Sequence, residues 1–313
     1  MSGGRLLAFP VADSHFHLWD PEMLPYPWLS ADARPPSFGD TGALRRPFAR
    51  KDYLAAFDGV LDLCAGVHVE AGCADPLGEA QWVSTQARAD FVIGHVAQID
   101  LRAKGGEELA RWEGRVPPVG FRMRLNADRA INASGEPPDS DHFTSVLAML
   151  NARRAVFDLS IFPEQGDAAA RLAARWPEIR FVLNHLGWPR IASGRDSFAT
   201  WRNMMRQLSV VPNVVVKVSM LWPIDPAWRP EIIRPFLREA LELFGPERLA
   251  WGSNFPIETC FGTIEHQLES LLEVLCDLPG PALEQIFRIT TCQTYGLAFN
   301  RTPAGNGHHH EQA

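Results

Sequence analysis

The sequence predicts a single α/β domain of the (β/α)8, or TIM-barrel, class. Three observations carry that expectation. Eight short apolar runs recur along the chain, a longer segment of helical character follows each of them, and side chains able to do chemistry gather at the runs' C-terminal ends. A chain of 313 residues is an ordinary length for one such barrel.

Taken in order, the runs are Val11–His17, Gly66–Glu70, Phe91–Asp100, Val119–Leu125, Ala155–Ile161, Arg180–His185, Val214–Ser219 and Leu249–Ser253. Eight is the number that closes a barrel. Between them, Asp167–Arg175 opens on an acidic residue, is rich in Ala and Arg and stops before Pro177. Pro230–Phe244 starts on proline and ends at Gly245-Pro246, so both predict outer helices. The stretch 21–48 differs: its six prolines and lack of a sustained period predict a long excursion after the first strand. Tyr26, Trp28 and Phe38 on it suit either a lid over the barrel mouth or packing against the wall. The domain is expected to span 1–300, with 301–313, including His308–His310, as a frayed tail.

Composition narrows the function. The formal charge of −7 comes from scattered Asp and Glu, and no run of Lys or Arg tracks phosphates, so nucleic acid is not an expected partner. Five cysteines at irregular spacing, without a CxxC pair, fit a reducing cytoplasm. The residues before Asp13 are too few for a signal peptide's apolar region, and no stretch approaches the roughly 20 apolar residues of a membrane span. A small anionic molecule is the expected partner; ten tryptophans leave room for a homo-oligomer interface.

The strongest local signal is Asp13-Ser14-His15-Phe16-His17. Alternation along a strand turns His15 and His17 to one side, so both imidazoles can meet one metal ion or one substrate. His185 stands at the end of the sixth run, and Asn254 follows the eighth in Gly252-Ser253-Asn254-Phe255-Pro256. Glu70 ends the second run, where it can serve as a base or pair with a nearby Arg or Lys, and His68 two residues earlier shares its face. Lys217 and Ser219 share a face of the seventh run; a lysine there binds an anion, forms a Schiff base or sits in a buried ion pair. Asp100 and Asp158 end strands and either line the rim or cap helices. Glu258 and Cys260 fall near the mouth, with nothing beside Cys260 to make it a thiolate.

The ordered set DSHFHLWD, YPWL, NHLGWP, PNVVVKVS and FGPERLAWGSNFP resembles the amidohydrolase-2 group, barrel hydrolases that include sugar lactonases and the 2-pyrone-4,6-dicarboxylate lactonase. The resemblance runs from about Asp13 to Gly296. It implies that His15, His17 and His185 bind a metal or polarise a lactone carbonyl. It also implies that Arg122 holds a substrate carboxylate or oxyanion; Arg124, on the same face, can exchange that role with it. One departure stands out: hydrolytic members usually carry Asp where this chain has Asn254, and an amide has no basic lone pair near neutral pH. A branch of the group reads Gly-Ser-Asn-Phe-Pro beside an Asn-His pair, as here with Asn184-His185.

Three answers to the missing carboxylate stay open. Glu70 takes over as base, or the three histidines hold a divalent metal such as zinc whose bound water is acidic enough, or hydrolysis is lost. The expected activity is hydrolysis of a small carboxylated lactone or related ester or amide, with or without a metal, with Tyr26, Trp28, Arg122, Arg124 and Lys217 contacting substrate. The alternatives are a lyase such as a decarboxylase and an inactive metabolite-binding accessory protein.

Overall fold

Valine and alanine line the strands' inner faces because eight converging strands leave little room at the axis. The computed structural model describes residues 5–298 apart from 34–38, 41, 89, 103–104, 114, 116, 127–140 and 195–196. In it, β1 (Val11–Phe16), β2 (Leu63–Val69), β3 (Val92–Gln98), β4 (Gly120–Met123), β5 (Val156–Leu159), β6 (Arg180–Leu183), β7 (Val214–Val218) and β8 (Leu249–Trp251) form one parallel sheet in sequence order. Each strand is followed by its helix: α1 (Arg50–Phe57), α2 (Pro76–Gln86), α3 (Gly105–Ala110), α4 (Asp141–Ala152), α5 (Gly166–Arg175), α6 (Phe198–Ser209), α7 (Pro230–Phe244) and α8 (Ile264–Val274). The predicted barrel is therefore present, and the two helices read from sequence fall where expected.

Closure between β8 and β1 depends on Gly252. A Cβ there would lie 2.9 Å from His15 Cβ and 3.0 Å from its backbone nitrogen, so only glycine lets the two segments approach. Just beyond, Asn254 N donates to His15 O and His17 N donates to Phe255 O, both at 2.7 Å.

Ala12, Ala65, Val67, Val96, Val156, Val182, Val215 and Ala250 form the inner core, while Phe16, Phe91, Phe157 and Phe181 belong to the larger core beneath the helices. Alternation then puts Arg122, Asp158 and Lys217 inside, two residues beyond inner small residues on the same strands. The C-terminal helical segment, α9 (Gly280–Glu284), a wider turn (Gln285–Ile289) and α10 (Thr290–Tyr295), brings Tyr295 into this inner cluster.

Among the described residues, the excursion after β1 contains two single helical turns, Pro27–Leu29 and Gly42–Leu44. Trp19 pairs with Phe48 across its base. Phe38 and the tail from 301 lie outside the described residues. All five cysteines are thiols, and no described helix is long and apolar enough to cross a membrane.

Candidate active site

The strand ends at the barrel mouth are held in costly backbone conformations. His185, Leu186 and Trp188 after β6, Met220 after β7 and Asn254 after β8 have φ between 50° and 57°. The left-handed region costs an L-residue roughly 1–2 kcal/mol, and asparagine is among the residues that tolerate it. Gly187 has φ +74°, and a Cβ there would meet Met204 Cε at 2.1 Å. Four of the strained residues, His185, Trp188, Met220 and Asn254, line one cavity of about 150 Å³. Strain gathered around a pocket is backbone arranged for a task.

Three imidazoles converge beneath that cavity. His17 donates Nδ1–H to Val69 O at 2.7 Å, so its Nε2 carries a lone pair. His15 Nε2 lies 3.2 Å from His17 Nε2, and His15 Nδ1 lies 3.4 Å from Lys217 Nζ. Burial pushes Lys217 down to about 8, which leaves it an ammonium at neutral pH with only donors to offer. The His15 proton is therefore on Nε2 and points at His17. His185 shares Nδ1 with Ser219 Oγ at 2.9 Å, and its ring centroid is 4.4 Å from that of His15. All three histidines are held well below the usual range, first by burial and then by neighbouring cations, Lys217 for His15 and Arg122 for His17 and His185. They are neutral at pH 7. His17 and His185 reach the cavity wall; His15 stands behind them.

The two arginines divide their work. Arg122 is buried, donates Nε–H to Glu70 Oε1 at 2.8 Å and Nη2–H to Glu70 O at 2.7 Å, and turns Nη1 toward Asn184 Oδ1 at 3.4 Å. Glu70 also accepts from Gly72 N at 2.8 Å. Its carboxylate is thus held by an ion pair and a backbone donor while it lines the cavity. Arg124 has a half-exposed side chain at the rim, where its Nε lies 4.0 Å from Glu70 Oε1.

Below the histidines lies a sealed polar knot. Lys217 donates to Asp158 Oδ2 at 2.6 Å with both side chains fully buried. Asp158 also accepts from Asn184 Nδ2 at 2.9 Å and from the Tyr295 hydroxyl. Lys217 does not line the cavity and is held in an ion pair. Asp158 is neither a rim residue nor a cap. Asp100, by contrast, pairs with Arg102 at the surface.

The remaining expectations separate as follows. Trp28 lines the cavity and donates Nε1–H to Ala71 O at 2.7 Å, whereas Tyr26 is buried away from it, packed against the wall. His68 is also away from the cavity: Nε2 donates to Leu18 O at 3.0 Å and Nδ1 meets His95 Nδ1 at 3.0 Å. Of the His68 and Glu70 pair, only Glu70 reaches the cavity wall. Cys260 is surface-exposed, its thiol raised by burial of the sulfur and by Glu258 nearby, so it is no thiolate. Wall residues without an obvious sequence signal include Trp19, Ser160, Trp188, Met220 and Ile257.

Asn254 faces the cavity, and its Nδ2 donates to Glu258 Oε2 at 3.1 Å. Glu258 is fully buried and also accepts from Trp222 N at 3.3 Å; burial raises it to about 8. Sequence spacing could have flagged this contact, since the two residues are four apart on a turn where Glu258 N donates to Asn254 O.

Two Nε2 atoms 3.2 Å apart are separated by about what two nitrogens on one zinc would show, given Zn–N bonds of ~2.1 Å. The rest of a zinc site is missing. Asn254 offers an amide where a carboxylate would ligate, and among the described residues no three His, Cys, Asp or Glu side chains are arranged to hold a metal ion. The expected set of His15, His17 and His185 does not, as arranged, fit one.

Known proteins share this arrangement of strands. The sequence model of the family described as Amidohydrolase matches residues 12–297. An uncharacterized protein of Sinorhizobium fredii is 31% identical over 82% of this chain and 88% of its own. An L-fucono-1,5-lactonase of Burkholderia multivorans is 31% identical over 78% of this chain and 81% of its own. Among solved structures, an amidohydrolase from Burkholderia multivorans with bound zinc superimposes with a TM-score of 0.75 at 26% identity, covering 93% of this chain and all of that one.

Proposed function

Because the chain belongs to the amidohydrolase family, we propose that it hydrolyses the ring ester of a small sugar-acid lactone or related carboxylated lactone. One observation carries the reading: two neutral histidines, His17 and His185, and two arginines meet on the wall of one small cavity at the C-terminal end of the barrel. A lactone carbonyl placed against His185 and Arg122 Nη1 gains donors where its oxygen becomes negative as water adds. Collapse of the adduct breaks the ring C–O bond and gives a hydroxy acid. Trp28 and Trp188 offer apolar faces to the ring, and Arg124 takes a carboxylate or the developing acid.

The test is a panel of aldonolactones, L-fucono-1,5-lactone among them, together with 2-pyrone-4,6-dicarboxylate, followed by acid release in dilute buffer. Turnover of at least one compound with incorporation of solvent oxygen is expected. Carbon dioxide release without that incorporation would instead assign a lyase. His185→Ala should lower kcat at least ~100-fold while the protein stays folded, the effect of losing one positioned acid–base group. Arg124→Met should act on KM, raising it about tenfold for a carboxylated substrate and little for a neutral one, with kcat nearly unchanged; a fall in kcat alone would count against rim binding.

A further inference from the structure

Ester hydrolysis needs a group that takes a proton from the attacking water, and the carboxylates around the cavity are mostly committed. Glu70 is held by Arg122, and Asp158 by Lys217, Asn184 and Tyr295. Asp13 accepts from Ser253, Tyr53 and the backbone of His15, on the helix side of β1. Glu79 accepts from Ala71 N behind the wall. Among these carboxylates, Glu258 combines two features: no cation pairs with it among the described residues, and it touches the side chain of a cavity residue, Asn254.

The direction of that contact matters. In the ionised form that prevails above about pH 8, Glu258 can only accept, so Asn254 presents Nδ2 to it and Oδ1 is left as the polar atom for the cavity. Glu258 is therefore a fixed anchor that decides which end of the amide a water meets. The groups facing it, Asn254, the backbone of Leu221 and Trp222 and the indole of Trp228, carry no charge.

We propose that Asn254 and Glu258 together form the proton acceptor of the hydrolytic step, Glu258 acting as a positioning residue through the Asn254 amide. This rests on the lactone-hydrolase reading above. As the water oxygen bonds to the lactone carbonyl carbon, its proton moves to Asn254 Oδ1 and one Nδ2 proton moves to Glu258 Oε2, leaving an imidic acid and a carboxylic acid. When the ring C–O bond breaks, the departing oxygen takes the proton from Oδ1 and Glu258 returns its own to Nδ2. The amide and the carboxylate are restored, and one water has been consumed. Burial raises Glu258 to about 8, so the relay runs in the ionised form, which once formed holds a proton better than an ordinary carboxylate does.

The experiment compares wild type, Glu258→Gln and the double variant Asn254→Asp with Glu258→Gln, on whichever lactone wild type turns over. Glu258→Gln should lower kcat at least 100-fold and leave KM within threefold. The double variant should recover kcat to within tenfold of wild type, because an aspartate at 254 is a base by itself and a glutamine at 258 can donate to it. Full activity in Glu258→Gln, or a folded double variant that stays inactive, overturns the relay and leaves the lactone reading standing. Failure of wild type on the whole panel overturns both. Should Glu258→Gln not fold, Asn254→Ala keeps the backbone donors to Glu258 and must lose kcat at least 100-fold with KM little changed; retained turnover there overturns the relay.

Discussion

Replacing Lys217 by methionine is expected to cost the fold about 3–5 kcal/mol, the range seen when one partner of a buried ion pair is removed. Methionine fills similar space, so the loss is electrostatic: Asp158 would keep its bonds from Tyr295 and Asn184 but lose its only close cation. Urea unfolding at pH 7 measures it. Adding Asp158→Asn to the Lys217 variant should return most of the stability, since an amide needs no counter-charge. A Lys217→Met protein within about 1 kcal/mol of wild type would refute this account of the ion pair. Stability is only half the consequence. Lys217 also fixes the proton of His15 on Nε2, so the variant should bind the substrate-side anion normally at Arg124 and yet turn over slowly.

Acid should unfold the protein earlier than its carboxylates alone would suggest. Five histidines, His15, His17, His68, His95 and His185, are buried and held low, His68 at about 4 and the others well below their ordinary value. Each is depressed in the fold, so the unfolded chain takes up its proton first, and the stability each provides is present above about pH 6.5 and drains as pH falls below it. Three carboxyls work the other way. Burial raises Asp13 to about 6 and Glu79 and Glu258 to about 8, so the folded protein holds those protons before the unfolded chain does and gains stability as pH falls toward about 4. Five against three leaves roughly two protons in favour of the unfolded chain near pH 5. Stability should therefore fall between pH 6.5 and 5. Urea midpoints at pH 7, 6 and 5 test this, and a midpoint that stays level or rises would refute the histidine account.

Much of the barrel was legible because its signals are local. Val214–Val218 announces itself by β-branched residues, and Pro230–Phe244 by proline at its start and glycine at its end. The start of β2 was less visible, since Leu63-Cys64-Ala65 carries no β-branched residue and its strand conformation is imposed by its neighbours. At the site, alternation correctly paired His15 with His17, and their nitrogens do meet. The same rule grouped His68 with Glu70, yet of the two only Glu70 reaches the cavity wall. Which arginine pairs and which stays open is a matter of depth along one strand, and neither residue's neighbours in sequence encode it. The Lys217–Asp158–Tyr295 knot joins residues far apart in the chain, so only folding reveals it.

The way the barrel shuts has a consequence for biosynthesis. Asp13 bonds Ser253 across 240 positions, Lys217 reaches His15 across 202, and Tyr295 secures Asp158 across 137. No nascent chain on the ribosome can close β1 against β8 or complete the Asp158 knot until β8 and α10 have emerged, and until then β1 presents an unpaired edge. Such late, long-range closure makes for slow folding and a prolonged dependence on chaperones, which would govern how much active enzyme a cell obtains from each transcript.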